Sequence, residues 1–281
     1  MGDNPVKEKQ SIIPIFLDWT GTINEILSDD KEIGAIKFKR FLESIKQLEA
    51  TYNTNAIITI ISGGSLKDSK IRFDMLRKLS ENYGMDNLFQ FIVAEYCGYL
   101  VSSGGEVTPL ERMPIELAEK QSDILSALEV GTINPNVSTF TNILFPDSIA
   151  KKDFDKLTSA ITELCGTNLD YVSCFDEYGK EFDIKSKNTT KQRAVELMLP
   201  IIEERFAQRN ILMILTGGDT LKEDIPMSMV NYKNIPIIPL APNNHDIPRD
   251  IVNELNVIVG GDKNVLGIRD SINTVSARVR K

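Results

Sequence analysis

The sequence predicts an α/β protein, a doubly wound parallel sheet that carries an inserted α+β module. Apolar runs rich in β-branched residues alternate with stretches of helical period over residues 11–94, and again after residue 191. Such strands separated by helices are typical of right-handed βαβ units. The intervening region has shorter apolar segments bounded by turn residues, which favours antiparallel pairing.

The first hundred residues alternate three strands with two helices. Their apolar runs predict buried strands at residues 11–17, 56–61 and 89–94. Helical periodicity predicts helices at residues 33–51 and 66–83. The same rhythm resumes later and predicts helices at 191–205 and 264–279, with strands at 211–215, 235–240 and 257–259. We therefore expect one core domain formed by residues 1–101 and 187–281.

The intervening residues 102–186 form the predicted insertion. It opens with the turn-like stretch Ser-Ser-Gly-Gly-Glu from Ser102. Its predicted elements are helices at 115–128 and 151–165 and strands at 138–145, 170–175 and 180–184, the last two joined by a hairpin turn at 176–179. Because no repeat or long linker flanks it, we expect it to be inserted into one domain.

Composition excludes several classes of function. The chain has 281 residues, 42% of them hydrophobic, which is enough for a substantial core. A net charge of -8 with scattered basic residues disfavours binding to nucleic acid or to an anionic membrane. The beginning of the sequence is polar, and no apolar run is long enough for a membrane helix. Three cysteines without metal-ligand spacing suit reduced thiols, so we expect a cytoplasmic protein.

A single histidine, His245, leaves little material for histidine-dependent triads or zinc sites. Any chemistry must therefore use carboxylates, hydroxyls and lysines.

Four motifs put such side chains at the ends of predicted elements. Asp18 ends the first strand and precedes Trp-Thr-Gly-Thr, and Ser62 ends the second strand. Lys191 opens the helix after the insertion, and Asp219 follows two glycines after the strand at 211–215, with Asp224 five residues later. Because parallel strands present their carboxyl ends at one edge of a sheet, we expect these side chains to converge there.

Each motif also has a structural interpretation. The stretch after Asp18 can be a turn or a helix cap, and Ser62 to Ser65 can be an N-cap with a flexible turn. Lys191 can be a solvated helix residue, with Lys185 and Lys187 near enough to replace it. Two glycines and two acids after a buried strand are harder to explain by packing. The similar Gly-Gly-Asp stretch at 260–262 is interpreted as a turn before the last helix.

In order and in position, these motifs resemble those of the haloacid dehalogenase (HAD) superfamily. The resemblance covers nearly the whole chain, and the insertion between Ser62 and Lys191 is similar to the C2-type cap of Cof-like and sucrose-phosphatase-like sugar-phosphate phosphatases. It implies hydrolysis of a small phosphate monoester, with Mg²⁺ as cofactor and a phosphorylated substrate as the partner. Protein partners stay undefined.

The resemblance also implies a role for each motif residue. Asp18 would be the nucleophile that forms an aspartyl phosphate. Asp18, the Thr20 carbonyl, Asp219 and a phosphate oxygen would hold Mg²⁺, with Asp224 binding the ion directly or supporting its ligands. The phosphoryl oxygens would be held by Ser62, the amides of Gly63 and Gly64, and Lys191. For contacts from the insertion, the candidates are Thr139, Asn142 and Asp183.

One position departs from the pattern. HAD phosphatases usually carry a second aspartate two residues after the nucleophile, as acid and base, and this chain has Thr20 there. A hydroxyl is a poor general base near neutral pH. The form Asp-x-Thr-Gly-Thr resembles the phosphorylation motif of P-type ATPases, but no membrane helices are predicted. The alternative to a phosphatase or phosphotransferase is a catalytically weakened protein that binds a phosphorylated metabolite or acts as a regulatory or interaction protein.

Overall fold

A computed structural model describes residues 11–27, 31–127, 131–144, 159, 163, 169–174, 181–243 and 247–278. Apart from Ser159 and Glu163, which are helical, the predicted helix at 151–165 lies outside the described residues, as does the predicted turn at 176–179.

The described chain alternates strands and helices for most of its length. The strands are β1 Ser11–Asp18, β2 Thr54–Ile61, β3 Phe89–Ala94, β4 Tyr99–Ser102, β5 Val107–Pro109, β6 Thr132–Ile133, β7 Thr141–Leu144, β8 Leu169–Cys174, β9 Glu181–Ser186, β10 Ile214–Gly217, β11 Ile237–Ala241 and β12 Ile258–Val259. The helices are α1 Lys31–Tyr52, α2 Leu66–Glu81, α3 Ile115–Ala127, α4 Lys191–Arg205, α5 Arg249–Glu254 and α6 Asn264–Arg278. Two short 3₁₀ helices cover Asn24–Leu27 and Ile225–Met229.

Eight strands form the larger sheet, in the order β12-β11-β10-β1-β2-β3-β4-β5. The six strands from β12 to β3 are parallel, which confirms the predicted doubly wound sheet. β4 and β5, which were not predicted from the sequence, continue the sheet in antiparallel pairing. The turn-rich stretch at Ser102 joins these two strands, so the larger sheet extends to Pro109. The domain boundary at residue 102 stays a prediction.

Alternate residues of β1 face the two sides of the sheet. Ile13, Ile15 and Leu17 join a core cluster with residues of α1, α2 and α6. Ile12 and Phe16 join a second cluster with residues of α4. Both faces of β1 are therefore covered, as expected for a continuous apolar strand in a parallel sheet.

The smaller sheet comes from the inserted region and confirms its α+β character. Its four strands have the order β6-β7-β9-β8, and all of them pair antiparallel. Within the described part of the chain, none of the helices combines the length and the apolar character needed to cross a bilayer.

Candidate active site

The strand register brings the first, second and fourth motifs side by side. Asp18 pairs with Ile61 in the β1–β2 ladder, so Ser62 follows at the same level. On the other side, Leu17 pairs with Gly217, and Gly218 and Asp219 follow β10. The carboxyl edge of the sheet therefore gathers the three motif ends, as predicted.

Lys191 joins this edge from the first turn of α4. Its ammonium Nζ lies 2.7 Å from Asp18 Oδ1 and 2.7 Å from Asp224 Oδ1. Thr190 caps the helix, because its hydroxyl accepts a hydrogen bond from the Arg193 amide at 3.1 Å. The N-cap at Thr190 determines where α4 begins, and Lys191, the first residue of the helix, reaches the carboxylates. Lys191 is buried, so its interpretation as a solvated helix residue is wrong.

Asp224 organises the loop after β10. Its Oδ2 accepts hydrogen bonds from the Asp219 amide at 3.1 Å, the Thr220 amide at 2.9 Å and the Thr220 hydroxyl at 2.8 Å. Gly218 is required beside it, because a Cβ at that position would lie 2.2 Å from Asp224 Cβ. The two glycines and two acids after β10 therefore have a structural role, because they allow the loop to wrap around the Asp224 carboxylate.

Asp219 approaches the loop after β1. Gly21 has φ +69, and a Cβ at that position would lie 2.0 Å from Asp219 Oδ2. Glycine adopts this backbone conformation without steric penalty and also leaves room for the carboxylate. Gly21 of the first motif therefore lets the loop after β1 approach the loop after β10 closely.

The charges of the cluster are strongly coupled. Burial raises the pKa of Asp18 well above its usual value; Lys191 opposes this shift, and Asp224 and Asp219 add to it. Burial lowers the pKa of Lys191, but Asp18, Asp224 and Glu223 outweigh that effect and raise it well above its usual value. Lys191 is thus held in its charged form, while the neighbouring acids favour any further cation.

The carboxylates have the spacing and chemistry of a divalent-cation site. One oxygen each from Asp18, Asp219 and Asp224 lies within 4.8 Å of the other two. Asp18 and Asp224 are buried, and Mg²⁺ prefers such hard oxygen ligands. These residues therefore fit a Mg²⁺ ion.

The loop after β2 is a compact turn against Tyr96. The Ser62 hydroxyl accepts a hydrogen bond from the Gly64 amide at 3.1 Å, and the Ser62 carbonyl accepts one from the Tyr96 amide at 2.9 Å. A Cβ on Gly63 would lie 3.0 Å from the Tyr96 ring, so a larger residue would require the ring to shift. Ser65 caps α2 through the Asp68 amide, as its structural interpretation predicts.

Thr20 lies in the turn after β1, and its side chain is exposed. A catalytic role for Thr20 stays a prediction.

Two residues that the sequence analysis did not place in the site lie beside it. Lys185 of β9 is buried, with its Nζ 2.7 Å from Glu223 Oε1 and 3.6 Å from the Tyr96 ring centroid. Glu223 Oε2 is 3.9 Å from Lys191 Nζ. The sequence suggested Lys185 only as a possible replacement for Lys191, whereas in the structure it pairs with Glu223. Nothing in the sequence indicated Glu223 except its position next to Asp224.

The three candidates from the insertion lie where it meets the larger sheet. The Tyr96 hydroxyl donates to Asp183 Oδ2 at 2.8 Å, and the Asn142 amide donates to Asp183 Oδ1 at 2.6 Å. The Thr139 hydroxyl donates to Glu95 Oε2 at 2.9 Å. Because Tyr96 packs on Gly63, this network reaches the loop that follows Ser62.

Comparison with solved structures identifies the class of fold. A haloacid dehalogenase-like hydrolase from Bacteroides thetaiotaomicron matches with a TM-score of 0.60 and 11% identity, over 94% of this chain and 100% of its own. This chain therefore has the HAD-like α/β fold, with an added α+β region, which confirms the predicted fold class.

Two further structures are similar. The HAD subclass IIB sugar phosphatase BT4131 matches with a TM-score of 0.56 and 14% identity, over 94% of this chain and 98% of its own. BT1666 from Bacteroides thetaiotaomicron, a phosphatase of the HAD superfamily, matches with a TM-score of 0.55 and 13% identity, over 98% of each chain. No protein-family model and no curated protein matches the sequence. At these identities the likeness establishes the fold, and an activity has to be argued from the site.

Proposed function

We propose that this protein is a Mg²⁺-dependent phosphohydrolase that acts on a small phosphate monoester, such as a sugar phosphate, through a phosphorylated Asp18. The observation that carries the proposal is the position of Lys191 Nζ, 2.7 Å from both Asp18 and Asp224 in a buried cluster of carboxylates. A nucleophile, a fixed cation and metal-binding acids are the groups that phosphoryl transfer requires, because the protein mainly positions the reactants and neutralises charge.

Lys191 and the loop after β2 are proposed to hold the phosphoryl group. An ammonium has three donors, and two of those on Lys191 serve Asp18 and Asp224. The third can meet a phosphoryl oxygen. The Ser62 hydroxyl and the Gly63 amide can bind the other oxygens, since the loop follows β2 at the level of Asp18.

Asp18, Asp219 and the Thr20 carbonyl are proposed to hold Mg²⁺. Asp224 supports this site, because its two carboxylate oxygens already accept hydrogen bonds from Lys191, Thr220 and the Asp219 amide. When bound, the ion neutralises charge on the phosphoryl oxygens and on the acids around them.

In the proposed reaction, a carboxylate oxygen of Asp18 attacks phosphorus in line with the ester oxygen. The ester bond breaks as the Asp18–phosphorus bond forms, and the leaving oxygen takes its proton from water, because Thr20 is not an acid. Lys191 stabilises the charge of the phosphoryl group throughout. Water then attacks the phosphorus of the phosphorylated Asp18, the bond from phosphorus to the Asp18 oxygen breaks, and inorganic phosphate leaves as the carboxylate is restored. Thr20 offers no efficient base for this second step, so we expect it to be slow.

A second candidate is a receptor that binds a phosphorylated metabolite with little or no turnover. The specific observation in its favour is Thr20, which stands where HAD phosphatases usually have an acid and which is exposed. In this alternative the phosphate and metal sites persist and only hydrolysis is lost.

Residues 102–186 are proposed to act as a cap that covers the site and selects the substrate. The proposal is supported by Lys185, which the inserted sheet brings to Glu223 and Tyr96. A cytoplasmic location is proposed from the free, buried thiol of Cys97, whose pKa is raised to about 11 mainly by burial.

A direct assay tests the proposed function. Purified protein is incubated with an aryl phosphate and with sugar and nucleotide phosphates, in Mg²⁺ and in excess chelator. We expect slow release of phosphate from at least one monoester, lost with chelator and restored by Mg²⁺. If no compound is hydrolysed but Mg²⁺ with a phosphorylated compound raises the melting temperature, the receptor is supported. Release that is insensitive to the chelator contradicts the proposal.

A further inference from the structure

Arg72 of α2 lies beside the loop that follows Ser62. A Cβ on Gly64 would lie 3.3 Å from Arg72 Nη1 and 3.2 Å from Ser62 Oγ, so both polar atoms approach the same point. On its other side, the Arg72 guanidinium lies over the ring of Trp19, 5.3 Å from the ring centroid. Trp19 is buried and directly follows Asp18 in the chain. Arg72 therefore lies between the loop that follows Ser62 and the ring of the residue that follows Asp18.

Arg72 has no carboxylate partner among the described residues. Two other arginines do have such a partner: Arg77, on the same helix, lies 3.7 Å from Glu81, and Arg193 lies 3.2 Å from Glu111. The cation–π contact with Trp19 restrains the Arg72 guanidinium and leaves its N–H donors for an anion.

The charges of the site leave a role for another cation. The site contains four acids and two lysines, namely Asp18, Asp219, Glu223, Asp224, Lys185 and Lys191. When all six side chains are charged, the site has two surplus negative charges. One Mg²⁺ would balance that surplus. A bound phosphate monoester then adds further negative charge, for which Arg72 is the adjacent cation.

We propose that Arg72 binds an anionic oxygen group of the ligand at the Gly64 side of the loop, with Trp19 holding its guanidinium in place. This inference rests on the proposed phosphate site. The anion can be the transferred phosphoryl group or a second acidic group of the substrate. Arginine suits either source, because its planar fork can donate two parallel hydrogen bonds to a phosphate or a carboxylate.

Trp19 is the single tryptophan of the chain, so its fluorescence can report ligand binding next to Arg72. Inorganic phosphate is titrated into the protein in Mg²⁺ while Trp19 fluorescence is followed, with calorimetry as a second measure. The main variant is Arg72→Gln, and Arg77→Gln is the matched control. Arg72→Lys, which keeps the positive charge but loses the planar fork, replaces Arg72→Gln if that variant does not fold. KM is measured for glycerol 3-phosphate, whose leaving group is neutral, and for 3-phosphoglycerate, whose leaving group carries a carboxylate.

If Arg72 holds the transferred phosphoryl group, Arg72→Gln weakens phosphate binding by about 10- to 100-fold and raises KM for both substrates alike. If it holds a second acidic group, phosphate binding is retained and KM rises for 3-phosphoglycerate alone. We expect Arg77→Gln to match the wild type throughout.

An Arg72→Gln variant with the same phosphate affinity and the same KM values as Arg77→Gln overturns the inference and leaves the proposed function intact. A wild-type protein that neither binds phosphate nor hydrolyses a monoester overturns the proposed function, and the inference with it.

Discussion

Asp18→Asn is expected to abolish hydrolysis while the protein remains folded. An amide is neutral and a poor nucleophile, so the loss should be on the order of 10⁴-fold or more in kcat. Folding should survive, because burial and the neighbouring acids already disfavour the charged form of Asp18, and Lys191 keeps Asp224 as a partner. The measurement is kcat in saturating Mg²⁺, with the melting temperature recorded for each protein.

The matched control is Asp262→Asn. Asp262 follows two glycines, as Asp219 does, but it lies in the turn before α6, where Arg269 Nη2 is 3.4 Å away. We expect this variant to hydrolyse substrate at the wild-type rate. Hydrolysis that persists in Asp18→Asn would show that another residue is the nucleophile.

Thr20→Asp is expected to speed hydrolysis by about 10² to 10⁴-fold. The new carboxylate would protonate the leaving oxygen and then activate water against phosphorylated Asp18. Thr20 is exposed in the turn after β1, so the substitution should be tolerated. Steady-state turnover of the best substrate, compared with that of the wild type, measures the gain.

Thr20→Asn is the control for this gain, because asparagine has nearly the shape of aspartate without its acid and base chemistry. It should remain as slow as the wild type. If Thr20→Asp gains nothing over Thr20→Asn while phosphorylated ligands still bind, the receptor alternative is favoured over the enzyme.

The sequence predicted the parts of the fold that depend on local pattern. The buried strands β1, β2 and β3 and the helix that Lys191 opens have continuous apolar runs or clear helical period, and each is found. The start of β10 was predicted three residues early. Ile211 is apolar but meets the sheet only through an isolated bridge to Ile12, so hydrophobicity alone did not mark where the ladder begins.

Pairing between distant segments was much harder to predict. The antiparallel strands β4 and β5 are short, and the residues of β5 are exposed, so β5 lacks the apolar pattern of a buried strand. The contact of Lys185 with Glu223 joins the inserted sheet to the loop after β10. It depends on how two distant backbones are placed, which no local pattern records. The convergence of Asp18, Ser62 and Asp219 was predictable because strand ends in a parallel sheet share one edge.

The most direct test of the central claim, that Asp18 receives the phosphoryl group, is to trap the phosphorylated protein. Wild-type protein is mixed with its best substrate and Mg²⁺, quenched in acid after a short time, digested and analysed by mass spectrometry. Because Thr20 should slow the second step, we expect the added mass of one phosphoryl group on the peptide that contains Asp18, and none in Asp18→Asn. Turnover with Asp18 unmodified at every quench time, or with the phosphoryl group on another residue, would contradict the account.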